Sequence, residues 1–582
     1  MLKKLFTLCA MTIVVTAHAA NPQFDILLES DWQWTLSHAP EFATTLGDTR
    51  YNHKLTNTTL AAQRVALKHQ QEMLKEARKI NRATLAGQDP ISYDQFIFEK
   101  NLAINAAAFY PYTVQPVTQL DGIQITFPNL VTQTPFNNAY DYHSYLARLH
   151  ALPAYIDGLI EQLQQGMKAG WVAPKVIIGP IPAQLKNLRL HLSESELAKP
   201  FTHIPDTVPK PEVFARLGNK ELNEHVAPAL LKLENFITTQ YLPACRDSIA
   251  ASALPGGMPY YQFLINTQTT TDLSPQQIHE LGLSEVARIH LEMHKIMDQV
   301  GFKGSLAEFG TFLNSDPRFF YTNPNDLVTG FGTIIARIVQ VLPNEFASLP
   351  KAQPEVRALP LLGAEQQPSA SYQPGSDDGK VAGYFAVNTS NLNTRPKWEM
   401  ETLAMHEAVP GHHLQISIAK EAAALPKFRR NGSYTAFEEG WALYAESLGD
   451  EMGMYKDPYS KFGNLNDEIL RAARLVVDTG IHALGWSRAQ AIAYMNDNTS
   501  NPPADNIVEV DRYIAWPAQA LSYKIGQLKI RELRNRAAAA LGDKFDVRAF
   551  HNAILDNGPV PLSVLETQID AWIAQQQTPP AN

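Results

Sequence analysis

Apolar residues recur at helical spacing along most of this chain, and this periodicity constrains its fold more than any other feature. Leu60, Leu67 and Leu74, for example, fall on one face of a charged segment, as in an amphipathic helix packed on a core. The pattern stops between residues 349 and 395, which are rich in Pro, Gly and Ser. Within that stretch, residues 383–388 are typical of a short strand. The fold is therefore expected to be mostly α-helical with a small β element.

Start and stop signals locate the individual helices. Ser274 and Pro275 form a clear helix start, an N-cap followed by proline at the first helical position, and the helix is expected to run to about residue 300. The other predicted helices cover residues 24–46, 59–85, 91–108, 140–169, 211–240 and most of the chain after residue 400.

Domain boundaries are weakly marked in the sequence. The best candidate lies just before the strand at residue 383. It separates a mostly helical N-terminal region, 20–380, from a helical C-terminal region, 381–582, which holds the histidine-rich segment described below. The two regions are expected to interlock as one body.

The first 19 residues are typical of a secretory signal peptide. Two lysines at positions 3 and 4 precede an apolar run, 5–15, and an Ala-His-Ala motif at 17–19 fits a cleavage site. The run is shorter than the ~20 residues that a membrane-spanning helix needs. We therefore expect a cleaved leader and a periplasmic or secreted protein.

Composition excludes several partners. The 49 basic and 58 acidic residues leave a net charge of −9, and no basic run exceeds residues 427–430, so no nucleic-acid partner is expected. Cys9 lacks the small preceding residue of a lipoprotein signal, and no later segment reads as a membrane span, so no stable membrane anchor is expected. Cys245 is the only cysteine outside the leader, which precludes an intramolecular disulfide. The oligomeric state stays open.

The segment with the most chemical information begins at His406 and Glu407. In the common zinc-peptidase helix a second histidine lies four residues after the first, and the Glu that follows the first activates water. Here the fourth position is Pro410. His412 would point to a different side of an unbroken helix, and His413 would lie about 10.5 Å further along it. Neither could share a zinc ion with His406 in a regular helix.

Pro410 and Gly411 offer a solution to this spacing. Proline lacks an N–H group and its ring clashes with the carbonyl of residue 406, while glycine permits backbone conformations closed to other residues. A break there could bring His412 back beside His406. The alternative is that Pro410 simply ends a helix. Several ligating side chains at one interruption favour a metal site.

A third ligand is expected from the acidic pair Glu438 and Glu439. Both open a helix whose apolar stripe predicts a core face, and periodicity does not choose between them. An ordinary acidic first turn, stabilised by the helix dipole, would explain them equally well. The stripe consists of Phe437, Trp441, Tyr444 and Leu448.

The run from His406 to Gln415, followed by Glu439-Gly440-Trp441, resembles the bacterial domain-of-unknown-function family 885. The likeness extends over nearly all of the mature chain. That family is similar to helical zinc peptidases such as thimet oligopeptidase, angiotensin-converting enzyme and dipeptidyl peptidase III. The resemblance implies a large zincin-like helical body that encloses a cleft, with the β element next to a metal site. The other matching segments are 47–51, 270–275, 474–482 and 511–526.

The resemblance also implies a cofactor and an activity. Aligned on dipeptidyl peptidase III, the ligands of one Zn²⁺ per chain are His406, His412 and Glu439. Glu407 is then the general base of a zinc-activated water. The implied function is an exported zinc metallopeptidase that hydrolyses short peptides.

Further site residues are expected from the same resemblance. Tyr513 and Tyr523 are candidates for stabilising the oxyanion, and His482 is a candidate for binding substrate. Arg512 or Lys524 could pair with a substrate carboxylate, which would indicate a carboxypeptidase or a dipeptidase.

The predicted strand adds a further substrate-binding hypothesis. Its backbone, from Tyr384 to Asn388, could add to an extended peptide. Two alternative functions remain at this stage: a zinc-dependent amide or ester hydrolase of a small metabolite, and a catalytically degenerate peptide-binding protein. An intact Glu407 argues against the second, because binding alone needs no base.

Overall fold

The computed structural model describes residues 21–109, 117–359, 368–375 and 383–578; the predicted signal peptide, 1–19, lies outside them. Helices make up most of this part of the chain, as expected. Those before the sheet are α1 Pro22–His38, α2 Pro40–Thr45, α3 Leu60–Ala77, α4 Asp89–Ala106, α5 Ile123–Val131, α6 Ala139–Lys168, α7 Lys175–Ile178, α8 Ile181–Leu190, α9 Lys199–Thr202, α10 Pro211–Glu221, α11 Ala227–Phe236, α12 Leu242–Ala244, α13 Gly257–Thr269, α14 Pro275–Gln299, α15 Leu306–Ser315 and α16 Pro324–Glu345.

Three strands and a second series of helices follow. The strands are β1 Glu355–Ala358, β2 Ala370–Gln373 and β3 Tyr384–Val387. The helices after them are α17 Met400–Glu407, α18 His412–Glu421, α19 Lys427–Arg430, α20 Thr435–Ser447, α21 Pro458–His482, α22 Arg488–Asn498, α23 Pro503–Ala515, α24 Ser522–Leu541, α25 Val547–Leu555 and α26 Leu562–Gln577.

Local capping chemistry explains which predicted boundaries are correct. Ser274 caps α14 in a capping box with Gln277, so the predicted start is confirmed. The single helix predicted over 24–46 is instead two, because Pro40 begins α2 and has no N–H to continue the bonding of α1. The helix predicted to reach residue 85 ends at Ala77.

The sheet has the order β1-β3-β2, with β1 parallel and β2 antiparallel to the central strand. The backbone of β3 is therefore paired on both sides, so the hypothesis that a peptide adds to the Tyr384 strand is wrong in this form. Tyr384 lies under the guanidinium of Arg357, at 4.7 Å. Asn388 is buried and its side-chain oxygen accepts the N–H of Ser390, which indicates a role in the turn that leaves β3.

The two predicted regions share their apolar cores. One cluster combines Leu149 and Phe309 with Phe462 from beyond residue 380, and a second combines Ile338 with Trp441. Residues on both sides of the predicted boundary thus bury one another.

Helix α16 departs from the expectation that no later segment resembles a membrane span. It is long and apolar enough to cross a membrane by length and composition. Its buried residues, such as Leu327, Phe331 and Ile338, form a stripe that packs into the protein core. One such helix is weak evidence for a span, because core helices of globular proteins share these properties.

Candidate metal centre

The histidine-rich segment is interrupted between α17 and α18. Helix α17 ends at Glu407 and α18 begins at His412, so the helix break predicted at Pro410 is present. The indole N–H of Trp441 donates a hydrogen bond of 2.9 Å to the Pro410 carbonyl. The N–H of His413 bonds the carbonyl of Ala408 at 3.0 Å. The break is therefore held by the buried aromatic face of α20.

Glycine is required at the centre of this break. A Cβ atom at position 411 would lie 1.8 Å from the carbonyl oxygen of His406 and 2.5 Å from that of Met405. Both obstacles are backbone atoms of α17, which cannot turn away as a flexible side chain can. Because the backbone of Gly411 packs directly against the end of α17, the next helix, α18, begins beside His406. His412 therefore lies next to His406.

Replacing Gly411 by alanine is expected to destabilise the protein and misplace His412. The clash involves backbone, so overpacking should lower the free energy of unfolding by about 3 kcal/mol. Urea unfolding and zinc content measure the two effects. Gly332→Ala in α16 is the matched control, because nothing lies within 4 Å of its Cβ position and alanine favours a helix by about 0.5–1 kcal/mol. Equal stability of the two variants would contradict the close approach.

His406, His412 and Glu439 meet at one point. One carboxylate oxygen of Glu439 lies 3.4 Å from Nε2 of His406 and 3.5 Å from Nε2 of His412. The two imidazole rings are perpendicular, with centroids 4.9 Å apart. These three residues form a group whose ligand atoms lie within 4.8 Å of one another, so their side chains could hold a metal ion.

Helical spacing did not choose between His412 and His413, or between Glu438 and Glu439. In the structure, His413 and Glu438 are hydrogen-bonded to groups outside the cluster. His413 is buried, with Nε2 bonded to the carbonyl of Ala352 at 3.1 Å. The Glu438 carboxylate accepts a hydrogen bond of 2.8 Å from Ser433. The geometry therefore selects His412 over His413, and Glu439 over Glu438, as members of the cluster.

Core packing of α20 positions Glu439. The predicted apolar stripe of this helix is buried, and Gly440 packs directly on Gly526 of α24, where a Cβ atom at position 440 would lie 2.4 Å from the Gly526 Cα. The two glycines thus allow α20 and α24 to pack closely. This packing fixes the position of the Glu439 carboxylate, because Glu439 directly precedes Gly440. The buried stripe consists of Phe437, Trp441, Tyr444 and Leu448.

The ionised forms of His406 and Glu439 stabilise each other. Burial disfavours the charged form of His406, but hydrogen bonds to Glu439 and Glu446 outweigh it and raise the His406 pKa well above its usual value. Burial likewise opposes ionisation of Glu439, but His406 and His412 hold its pKa well below the usual range. Glu439 therefore remains a carboxylate, as a ligand must, although its side chain is only 22% exposed.

Sequence reasoning missed Glu446. Its carboxylate accepts a 2.6 Å hydrogen bond from Nδ1 of His406 and a 3.0 Å bond from Thr402. This contact fixes the ring and leaves Nε2 directed at Glu439, the arrangement usual for metal-bound histidines. One feature of the sequence could have identified it. Glu446 is an acidic residue in an otherwise apolar segment, and it lies seven residues after Glu439, hence on the same face of the helix.

Glu407 lies at the end of α17, next to β2. One of its carboxylate oxygens accepts the backbone N–H of Tyr372 at 2.8 Å. The small β element is thus beside the cluster, as expected, and it orients the carboxylate that the sequence predicts as the base.

Three other predicted site residues are engaged in structural contacts. Lys524 is fully buried and bonds the carboxylates of Glu468 at 2.7 Å and Glu285 at 2.9 Å, so it is not available to a substrate carboxylate. His482 accepts the N–H of Ala251 on Nδ1, and Nε2 bonds the carbonyl of Tyr513. Burial lowers the His482 pKa to about 3, so the ring is neutral and its predicted role in substrate binding is not supported.

Tyr513 is likewise fully buried, and its hydroxyl donates to Glu509 at 2.7 Å. That position does not fit the predicted contact with an oxyanion. Arg512 and Tyr523 differ, because they contact each other through a 3.1 Å hydrogen bond and the Arg512 side chain is 23% exposed. These two remain candidates for contact with substrate.

A second group of possible metal ligands lies at the surface. His150 Nδ1 is 3.1 Å from the Glu221 carboxylate, and His225 Nε2 is 3.7 Å from the same oxygen. The His150 side chain is 63% exposed, and Glu407 is not part of this group. This exposed group provides a control for metal binding at the His406 cluster.

The fold and the cluster define a mostly helical protein with a His-His-Glu group at a helix break, in which His406 is buried and His412 and Glu439 are partly buried. The chain belongs to DUF885, a family of bacterial proteins of unknown function, whose profile matches residues 40–569. No curated protein matches the chain.

Two solved structures resemble the chain over nearly its full length. One, described as "the putative lipoprotein from Colwellia psychrerythraea", has 29% identity and a TM-score of 0.88, covering 95% of this chain and 99% of its own. The other, a "putative lipoprotein of unknown function from Shewanella oneidensis", has 20% identity and a TM-score of 0.74, covering 94% and 99%; it shows the shared fold alone. The description of the Colwellia protein as a lipoprotein is consistent with an exported or cell-envelope protein.

Proposed function

We propose that this protein is an exported zinc-dependent metallopeptidase that hydrolyses short peptides. The observation that carries the proposal is the convergence of His406, His412 and Glu439 across the helix break, where Glu407 follows His406 in the chain. Two imidazoles and one carboxylate are the protein ligands of a known class of catalytic zinc site.

The distances fit zinc. Zinc bonds of about 2.1 Å at tetrahedral angles separate neighbouring ligand atoms by about 3.4 Å. The two nitrogen–oxygen distances to Glu439 are 3.4 and 3.5 Å. Glu446 already orients His406 through Nδ1, so Nε2 is the ring atom directed at Glu439 and at the proposed ion. When bound there, zinc would supply a Lewis acid that lowers the pKa of water and polarises a carbonyl.

The protein's own residues would carry the proton and hold the reactants. Glu407, oriented by the N–H of Tyr372, would accept a proton from the attacking water and return it to the leaving amine. Glu446 would keep the His406 ring in one orientation. Tyr523 is the remaining tyrosine candidate for the developing oxyanion.

The predicted leader supports a periplasmic or secreted location for this activity. Residues 1–19 carry the pattern of a cleavable signal. The structural relatives described as putative lipoproteins also fit an envelope protein. We propose the periplasm as the compartment in which short peptides reach the site.

A panel of substrates tests the proposal. The zinc-loaded protein is incubated with free and blocked peptides of two to eight residues, a folded protein, and single amides and esters, and products are identified by mass spectrometry. We expect cleavage of the short peptides with a dependence on length and on free termini. Turnover restricted to single amides or esters would indicate a small-molecule hydrolase. Stoichiometric peptide binding without any turnover would indicate a binding protein, and either result would overturn the proposal.

A further inference from the structure

Arg474 of α21, Arg512 of α23 and Tyr523 of α24 meet in one cluster. The Arg474 guanidinium lies 4.6 Å from the centre of the Tyr523 ring. Arg512 donates a 3.1 Å hydrogen bond from Nη2 to the Tyr523 hydroxyl. Residues from three separate helices thus present two guanidinium groups around one phenol.

The two arginines share a single carboxylate. Glu509 lies 2.8 Å from Nη2 of Arg474 and 3.6 Å from Nη1 of Arg512. Arg512 has no second ion-pair partner within the described ranges. An arginine is always charged, so two positive charges share the one carboxylate of Glu509.

Two hydrogen-bond donors in this cluster lack acceptors. Nη1 of Arg474 and Nε of Arg512 are buried and make no hydrogen bond among the residues that the structure describes. The Arg474 side chain is 5% exposed. Buried donors are nearly always paired, since leaving one unpaired costs free energy. A carboxylate would satisfy such donors best, because its oxygens match guanidinium geometry.

The backbone of Tyr523 lies near the helix crossing that positions Glu439. Tyr523 precedes Gly526 by three residues, about 4.5 Å along the helix axis. Gly526 packs against Gly440, the residue that follows Glu439. Tyr523 is therefore about one helical turn from the helix crossing that holds the carboxylate of the metal centre.

We propose that Arg512 and Arg474, which lie around the Tyr523 ring, form an anion subsite that holds a carboxylate of the peptide substrate. The inference rests on the proposed function and adds the group by which substrates are selected. The carboxylate is either the free C-terminus of the peptide or an acidic side chain.

Binding to an inactive variant tests the subsite without relying on turnover. Calorimetry with zinc-loaded Glu407→Gln protein compares N-acetyl-trialanine as the free acid with its C-terminal amide. We expect the acid to bind about tenfold or more tightly, as for a charge-assisted hydrogen bond. Arg512→Gln in the same background should abolish this preference and leave the affinity for the amide within twofold. The third ligand is an amidated peptide with a central glutamate. If it binds more tightly than the trialanine amide, and this difference is lost in Arg512→Gln, the group held is an acidic side chain.

Two further variants separate recognition from structural damage. Arg82→Gln is the matched control, because Arg82 pairs with Asp94 and with no other acidic residue in the described part of the chain, and it lies far from the cluster in sequence. It should keep the full preference. Arg512→Lys retains the charge without the planar donor pair and should keep part of it. The subsite is overturned if neither carboxylate improves binding, if no ligand binds, or if the preference survives Arg512→Gln.

The outcome is separable from that of the proposed function. Wild-type protein that cleaves acid and amide peptides equally well, with equal affinities, would remove the subsite and leave the peptidase proposal in place. A preference for the acid that depends on Arg512, in a protein that does not hydrolyse peptides, would support the subsite and remove the peptidase proposal.

Discussion

Replacing Glu407 by glutamine is expected to abolish peptide hydrolysis while the fold and the metal stay in place. General bases contribute about a hundredfold to ten-thousandfold to rate, so kcat/KM should fall by that factor. The amide oxygen of glutamine can still accept the N–H of Tyr372, which now lies 2.8 Å from the carboxylate. The variant should therefore unfold at the wild-type urea concentration and keep its zinc.

Glu421→Gln is the matched control for this prediction. Like Glu407, Glu421 accepts a backbone N–H, that of Lys351 at 2.9 Å, but it is exposed at the end of α18. Its replacement should leave kcat/KM within twofold of wild type. Substantial turnover in Glu407→Gln would contradict the assignment of the base, and the loss of zinc in that variant would show that its effect is indirect.

The parts of the site that could be predicted depend on local chemistry. Proline at 410 and glycine at 411 act on the backbone within one helical turn, so their pattern was sufficient to predict a break between α17 and α18. The apolar stripe of α20 has helical period, so its burial was also predictable. Both features are properties of a few adjacent residues.

The parts that could not be predicted depend on partners distant in sequence. Lys524 looked available for substrate until the structure placed it against Glu285 and Glu468, which come from two other helices. Glu446 could not be assigned because its role arises only when α17 packs on α20. The Tyr384 strand could not be placed at the centre of the sheet, because strand order depends on pairings that periodicity does not encode.

Fold class and site geometry thus differ in how far they follow from sequence. Helical periodicity repeats many times along the chain, so single errors, such as the helix split at Pro40, do not change the class. A site depends on a few side chains, and each of them must be correct. The resemblance to family 885 pointed to Glu439, whereas the hydrogen bond from Ser433 accounts for Glu438.

Removing either histidine of the cluster is expected to remove the metal. Wild-type protein should hold about one zinc per chain, and both His406→Ala and His412→Ala should hold less than about a tenth of that, since each loses one of three ligands. Inductively coupled plasma mass spectrometry measures the content. Addition of a chelator should lower the melting temperature of wild type, because an ion that binds only the folded state stabilises it by about 2.7 kcal/mol at one hundred times its Kd.

The two histidine variants should differ in stability, and this difference separates ligand loss from structural damage. His406→Ala also leaves the fully buried Glu446 without its 2.6 Å partner, which should cost several kcal/mol, about 3–5 for a broken buried ion pair. Nδ1 of His412 has no hydrogen-bond partner among the described residues. His412→Ala should therefore match the unfolding free energy of chelated wild type more closely than His406→Ala does.

Two control histidines complete the test. His413→Ala removes the neighbour that bonds Ala352 and should lower stability while zinc content stays near one per chain. His150→Ala removes a member of the exposed His-Glu-His group and should change neither zinc content nor peptide turnover. Zinc that persists in both His406→Ala and His412→Ala, or that is lost in His150→Ala, would place the ion elsewhere. The break at Gly411 would then serve folding alone, and the catalytic role of Glu407 would lose its physical basis.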